Sequence, residues 1–250
     1  MKNILITGHK SGLGKYIYNN LKKKYQVKGL TRSNFKIIKN SFYDLIIHCA
    51  AKRPIYGDSN NILEYYKDNI LLTEKITDLS FGRIIYISTI DVYEKSVNQK
   101  KENIEINPNF LTGIYPISKL ISENIIKDKT KNFLILRLPS IIGSGTKKGS
   151  IYNLLRKKNN IISYSKESNF NIVDYSTILN IILYTFKKKI IGIFNVASKK
   201  NINIKNIIGK NFKNYGKYNY QVGKIDINKL KKINIKFIEN TNEVIKKYIK

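Results

Sequence analysis

The chain opens with a short apolar run, Ile4-Leu5-Ile6-Thr7. This breaks into Gly8-His9-Lys10-Ser11-Gly12-Leu13-Gly14 ahead of a stretch carrying Leu13, Ile17 and Leu21 at helical spacing. Strand, glycine turn and helix, in that order, constrain the fold more than any other feature. Glycines permit the tight turn, bring the backbone close to a bound pyrophosphate, and let the helix pack on the strand before it. The first turn of the helix then offers unpaired N–H groups to the phosphates. Three glycines at such spacing arise easily by chance; between a first strand and a first helix they mark a dinucleotide site. The expected contacts are Gly8, Lys10, Ser11, Gly12, Leu13 and Gly14.

The same alternation continues along the chain. Strands are expected at Lys2–Thr7, Gln26–Leu30, Leu45–Ala50, Arg83–Ser88, Phe133–Leu138 and Gly192–Val196, and helices at Gly12–Lys24, Glu64–Leu79, Tyr115–Lys127 and Ser176–Lys187. Continuous apolar strands separated by helices of this length predict an α/β fold: a Rossmann-type doubly wound parallel sheet covered on both faces. Residues 139–170 and 198–250 do not fit the repeating unit. They are rich in Lys and Asn, with short apolar patches, and read as a small C-terminal substrate-binding lobe. The dinucleotide-binding core is then residues 1–138, completed by about 171–197. There is no fixed-period repeat and no Pro/Gly/Ser linker, so one folding unit is expected.

Composition narrows the function classes. The single cysteine, Cys49, excludes an internal disulfide framework and a Cys-rich zinc site, reads as a buried inert thiol, and leaves no metal expected. The first apolar run is too short for a signal peptide, and no run approaches the roughly 20 residues of a membrane span. A cytoplasmic protein is expected. The formal charge of +29 raises the question of nucleic acid. Only five of the 46 basic residues are arginines (Arg32, Arg53, Arg83, Arg137 and Arg156), and the lysines are spread over amphipathic faces with no compact basic motif. Solvated lysine faces are the simpler account. Nucleic acid is not expected as a partner, while the charge would favour a diphosphate-bearing substrate.

The end of the second strand bears on cofactor choice. An NAD site places Asp or Glu there to hold the ribose 2′-hydroxyl, whereas here Leu30 is followed by Thr31-Arg32-Ser33. Arg32, assisted by Lys10, suits a 2′-phosphate, so NADP is expected ahead of NAD.

Two further segments carry chemistry. Ser88-Thr89-Ile90-Asp91-Val92-Tyr93 follows a strand, and Tyr115-Pro116-Ile117-Ser118-Lys119 begins a helix. A tyrosine and a lysine four apart share a helix face, where the ammonium stabilises a tyrosinate. A strand-end hydroxyl adds a second hydrogen bond to the reacting oxygen. By itself Tyr-x-x-x-Lys is commonplace in a chain with 18 tyrosines.

Glycine turn, strand-end hydroxyl and Tyr-x-x-x-Lys, in that order, resemble the short-chain dehydrogenase/reductase superfamily. Other segments resemble its extended, nucleotide-sugar-modifying branch, the NAD-dependent epimerase/dehydratase family. These are Asp44-Leu45-Ile46-Ile47-His48-Cys49-Ala50-Ala51, Asp68-Asn69-Ile70, Arg137-Leu138-Pro139-Ser140-Ile141-Ile142-Gly143, Asn171-Ile172-Val173-Asp174, Gly192-Ile193-Phe194-Asn195-Val196-Ala197 and Asp226-Ile227-Asn228-Lys229-Leu230. The resemblance implies that Ala50, Ala51 and Asn69 join the cofactor site, and that Thr89, Tyr115 and Lys119 are catalytic, with Tyr115 as acid/base. Lys119 would also hold the nicotinamide ribose. Asp91 and Ser140 stand as substrate-side candidates, and a homodimer is expected, as among relatives. Two departures are visible: Ser11 stands where the branch usually has its middle glycine, and the tail lacks the Arg-rich segment that clamps a nucleotide diphosphate. Lys199, Lys200 or Lys205 would replace that clamp, or the substrate carries no nucleotide.

The implied reaction is hydride exchange between a nicotinamide and a sugar carbon. Dehydratases of this branch carry an Asp-Glu pair after the catalytic threonine; Ile90-Asp91 has one acid, which disfavours elimination. The short lobe and Arg32 favour a ketosugar reductase. A nucleotide-sugar 4-epimerase with retained cofactor is the alternative, and a non-enzymatic NADP-binding sensor the remote one.

Overall fold

The computed structural model describes residues 2–53, 61–95, 99–144, 146, 162–208, 213–235 and 238–248. Six parallel strands build the central sheet: β1 (Asn3–Thr7), β2 (Gln26–Gly29), β3 (Leu45–His48), β4 (Ile84–Thr89), β5 (Phe133–Leu138) and β6 (Gly192–Asn195). Their spatial order is β2-β1-β3-β4-β5-β6. Every neighbouring pair is parallel, so each connection must cross over the sheet. The order reverses between β1 and β3. In an open α/β sheet, ligands settle at that point, outside the carboxyl ends of the strands.

The sheet is buried on both faces, which is why its strands read as continuous apolar runs and not as alternating ones. Successive residues still divide between the faces. Ile4, Ile6, Leu45, Ile47, Ile85, Leu134 and Leu136 pack with Leu13, Ile17 and Leu21 of helix α1 (Gly12–Leu21) and with Ile178, Ile181 and Ile182 of helix α3 (Tyr175–Lys187). On the opposite face Leu5, Ile46, Ile84, Tyr86 and Ile135 pack against Ile76 and against Ile126 of helix α2 (Ile114–Lys129). Asp174 starts α3 by accepting the Thr177 N–H at 2.8 Å.

The helix expected over Glu64–Leu79 differs in kind. It has three parts: an α-helical turn Ile62–Tyr65, a π-helical turn Tyr66–Leu71 and an α-helical segment Leu72–Thr77. The extra residue of a π-turn rotates the helix beyond it, and such turns gather at functional sites. Here it carries Asn69 into the interior, 1% exposed. Hydrophobic periodicity does not distinguish a π-turn from an α-turn.

Beyond the carboxyl edge of the sheet, short strands replace long ones. Ser140–Ile142 runs parallel to Ile172–Asp174, Asn169–Phe170 antiparallel to Ile202–Asn203, and Ile162–Tyr164 parallel to Tyr215–Tyr218. They surround a second apolar cluster that includes Ile142, Ile162, Phe170, Ile172, Ile204, Ile207 and Val244. A further parallel pair, Gln99–Lys100 with Lys224–Ile225, ties the segment after β4 to the tail. Much of the stretch expected to enter the lobe, residues 145 and 147–161 with Arg156 among them, lies outside the described residues. Among the described residues no helix is long and apolar enough to cross a membrane.

Candidate active site

The glycine turn lies at the reversal point of the sheet. Gly8 has φ +69° and Gly12 φ +55°, values that favour glycine. A Cβ on Gly8 would meet the Ala50 backbone N at 3.0 Å, so the loops after β1 and β3 touch there. A Cβ on Gly14 would lie 2.4 Å from the Gly8 carbonyl oxygen, so its absence is what lets α1 begin so close to the turn. Gly12 is different: a Cβ there would face only the Tyr175 hydroxyl, at 3.5 Å. Open space above a positive-φ glycine at a helix start is the cradle a pyrophosphate needs. The residues therefore fit a dinucleotide. The cradle is braced by Thr7, whose Oγ1 accepts from the N–H groups of Cys49 (3.1 Å) and Ala50 (2.9 Å) and lies 2.7 Å from His48 Nδ1. Burial holds His48 far below the ordinary histidine range, at about 3, so it is neutral. Cys49, expected to be buried, is partly buried at the cleft floor and packs on the core; it is a free thiol, pushed up to about 12 by burial of its sulfur.

One continuous cleft is lined by Gly8, Lys10, Ser11, Gly12, Leu13, Gly14, Arg32, Ala50, Ala51, Thr89, Asp91, Tyr115, Lys119 and Ser140. Candidates scattered from Gly8 to Ser140 thus share one concavity. Asn69 does not line it. Its amide accepts from the Lys52 N–H (2.6 Å) and donates to the Lys52 carbonyl (3.2 Å) and to Ser118 Oγ (2.8 Å). It thereby ties the loop after β3 to α2. At the adenosine end, Arg32 has a 94% exposed side chain and pairs with Asp68 Oδ1 at 3.3 Å. Asp68 sits on the π-turn. The fold brings it in from 36 residues away.

At the other end, Thr89 closes β4 and starts a short 3₁₀ turn. Its Oγ1 donates to Asp91 Oδ2 at 3.0 Å and accepts the Asp91 N–H at 3.2 Å. Asp91 opens into the cleft. The enclosing walls raise its carboxyl, against the lowering effects of the Thr89 hydrogen bond, Lys100 and Lys95. Tyr115 stands in the first turn of α2 with its hydroxyl raised above the ordinary range. Burial is the leading cause, Asp91 adds to it, and hydrogen bonding with Thr89 and the Arg53 charge oppose it. Lys119, 2% exposed, donates to the Ile87 carbonyl at 2.6 Å and lies 3.9 Å from the centre of the Tyr86 ring. Burial lowers it to about 7, with Glu123 and Cys49 opposing, which places its proton exchange in the working pH range.

Tyr115, Lys119 and Glu123 succeed one another at four-residue spacing on one stripe of α2. Glu123 is fully buried and accepts from Arg137 (Nη2–Oε2, 2.6 Å) and from Ser88 Oγ (2.5 Å). Arg137 in turn lies over the Tyr93 ring at 4.8 Å, and the Tyr93 hydroxyl donates to Asn195 Oδ1 at 2.8 Å. Removing one partner from such a buried pair strands a charge, so this network fixes α2 against β4 and β5.

Sequence reasoning missed part of the cleft. Arg53, Lys100, Tyr164, Phe170, Tyr218 and Tyr220 line it too, whereas Lys199, Lys200 and Lys205, the expected diphosphate clamp, do not. Arg53 lies in the loop directly after β3, whereas nothing in the local sequence marks the other five, whose segments meet through pairings between distant short strands.

The similarity of the chain to known proteins agrees with this geometry. A sterol-4-alpha-carboxylate 3-dehydrogenase (decarboxylating) from Dictyostelium discoideum is 29% identical over 181 residues. That alignment covers 58% of this chain and 55% of the relative, so the chain spans about half the relative's length. Among solved structures, a dTDP-4-dehydrorhamnose reductase from Bacillus anthracis in complex with NADP superposes with a TM-score of 0.84 at 17% identity, covering 99% of this chain and 98% of that one. The dTDP-4-dehydrorhamnose reductase of Yersinia enterocolitica gives 0.81 at 22% identity, over 100% and 99%. A UDP-galactose 4-epimerase gives 0.80 at 15%, over 98% and 96%. Identities this low speak for the fold. The family model for the NAD dependent epimerase/dehydratase family matches residues 4–167, well over half of the chain, and the protein is a member of that family.

Proposed function

We propose that this protein is an NAD(P)-dependent oxidoreductase that reduces a nucleotide-linked ketosugar. The observation that carries the reading is the convergence of Thr89, Asp91, Tyr115 and Lys119 in the same cleft as the glycine cradle, at the carboxyl ends of β1, β3 and β4. The nicotinamide supplies the hydride when bound. The chain's own residues manage the proton. Tyr115 donates it to the developing alkoxide, and burial keeps that hydroxyl protonated until it is needed. Lys119, on the same helix face, holds a positive charge near the tyrosinate that results and exchanges its proton near neutral pH. Thr89, whose hydroxyl donates to Asp91 in the structure, would turn it to give a second hydrogen bond to the same oxygen. Arg32 faces the 2′-phosphate end and makes NADP the preferred cofactor.

In the same reading, residues 139–170 and 198–250 form the substrate lobe over a dinucleotide-binding core. The protein works in the cytoplasm, where the soluble dinucleotide pool is, and pairs into a homodimer. Exposed apolar side chains support the pairing: Ile62, Leu63 and Tyr66 on the composite helix are 65%, 56% and 48% exposed, and Ile121 on α2 is 39% exposed.

The test is a panel of nucleotide-sugars and nucleotide-ketosugars, incubated with and without NADPH. Net NADPH consumption with one ketosugar supports the proposal. Isomer formation without consumption replaces it with a 4-epimerase, and cofactor binding without turnover on any member replaces it with a sensor.

A further inference from the structure

The lobe side of the cleft is an aromatic wall. Phe170, 1% exposed, forms its floor; Tyr220 stacks on it at 5.1 Å between ring centres and 29° between planes. Tyr164 meets Phe170 edge-on at 5.0 Å and reaches Tyr218 at 5.7 Å. Tyr218, 43% exposed, is the rim. All four rings line the cleft. Tyr220 also packs against the small cluster around Leu120 of α2, so the wall closes on the catalytic helix. Its hydroxyl is raised by burial and by the Asp91 carboxylate, and it shares the cleft with Asp91 and Tyr115.

Two charged groups face the same space. Lys100 is 6% exposed, donates to the Val222 carbonyl at 2.7 Å, and lies close enough to Asp91 for each to shift the other. An ammonium has three N–H groups to satisfy, and burying it is costly unless oxygen acceptors are at hand. A wall of aromatic rings beside a cation and a nearby carboxylate matches the anatomy of a pyranose. One face of the ring presents C–H groups to an aromatic plane, while hydroxyls at its rim both donate and accept.

We propose that this wall is the sugar subsite: Tyr218 and Tyr220 stack against the C–H face of a hexopyranose, and Lys100 and Asp91 hold two of its hydroxyls. The assignment rests on the nucleotide-sugar reading above and makes it more specific. It places the sugar, and not the nucleobase, on the aromatic rings. The reacting carbon must reach Tyr115, whereas the base lies at the far end of a diphosphate.

Saturation-transfer NMR on the full chain with NADP⁺ bound tests this, using UDP-glucose, dTDP-glucose and methyl β-D-glucopyranoside as probes and irradiating protein methyl groups. Saturation is expected on the pyranose C–H protons and should fall several-fold in Tyr218→Ala and in Lys100→Met. NADP⁺ affinity and the circular dichroism spectrum should stay unchanged. Tyr218 is an exposed rim residue, so its variant keeps the fold even if the buried Lys100 variant does not. Three results overturn the proposal: saturation strongest on the base protons, pyranose saturation undiminished in Tyr218→Ala, or no saturation of any probe. The two readings fail separately. Saturation of the methyl glucoside with no binding of either nucleotide-sugar removes the nucleotide and keeps the subsite. A bound nucleotide-sugar whose pyranose takes no saturation does the reverse.

Discussion

In the proposed reading, cofactor preference rests on Arg32, which the structure holds in one exposed ion pair. Arg32 is held only loosely, at 3.3 Å from Asp68 with its side chain 94% exposed. Such a surface pair contributes about 0–1 kcal/mol, so either partner is removable with little effect on folding. A charge-assisted contact between Arg32 and a 2′-phosphate is worth more, about 1.5–3 kcal/mol. Arg32→Ala should therefore weaken NADPH by about 10- to 150-fold and leave NADH within about threefold. Asp68 acts in the opposite sense, because its carboxylate competes for Arg32 and repels the phosphate. At a separation of about 6 Å in a water-like dielectric, that repulsion is about 0.7 kcal/mol per phosphate charge. Asp68→Asn should then tighten NADPH by about three- to tenfold, and weaken NADH if Asp68 accepts a hydrogen bond from the 2′-hydroxyl. In the double variant the direct repulsion remains, so removing Asp68 should still tighten NADPH by about three- to tenfold relative to Arg32→Ala alone. Any larger effect in the presence of Arg32 measures competition for it. Fluorescence titration of NADPH and NADH with all four proteins, at one low ionic strength, reads these numbers directly. Equal affinities in the unmodified protein, or weaker NADPH binding by Asp68→Asn, would refute the reasoning.

Other expected outcomes concern the turn, the chemistry and the interior. Gly12→Val should lose dinucleotide binding. A Cβ there meets only the Tyr175 hydroxyl at 3.5 Å, but φ +55° strains a branched side chain by about 1–2 kcal/mol. Its fold is therefore checked first by circular dichroism, and a folded variant of normal affinity in calorimetric titration would remove the pyrophosphate assignment. Tyr115→Phe should lower turnover by roughly 10²–10⁴ without changing cofactor affinity. The same change at Tyr93, whose hydroxyl donates to Asn195 at 2.8 Å, should cost about 1 kcal/mol of stability and little turnover. Comparable activity of the two variants on a verified substrate would mark Tyr-x-x-x-Lys as coincidence. His48 is fully buried and held neutral, at about 3 against an ordinary 6.5, so between those values the unfolded chain binds more protons than the folded one. Its contribution is fully present above about pH 6.5 and is lost as pH falls, with a slope approaching about 1.4 kcal/mol per pH unit. Urea midpoints measured at pH 7 and pH 5 should differ less in His48→Gln than in the unmodified chain; the same pH dependence in both would contradict this.

The sheet and the order of its parts were legible in the amino-acid sequence. Leu45–His48 is buried at every position and reads as a central parallel strand because a strand covered on both faces has no polar side to show. Gly8, Gly12 and Gly14 stand out because backbone conformation and close approach demand glycine locally. Tyr115 and Lys119 pair on paper because four residues make about one helical turn. These features have in common that the physics deciding them acts within a few residues. Other parts of the site took shape only in three dimensions. Asp68 reaches Arg32 through a π-turn whose extra residue leaves no mark on apolar periodicity. Asn69 is turned inward to brace Lys52 and Ser118, although its motif reads as a cofactor contact. The charge of Lys100 is buried against Val222, 122 residues away, and Tyr164 meets Phe170 and Tyr218 only because short strands from separate segments pair there. Contacts of that kind depend on where the sheet's carboxyl edge deposits each loop, and no pattern within a few residues encodes that distance.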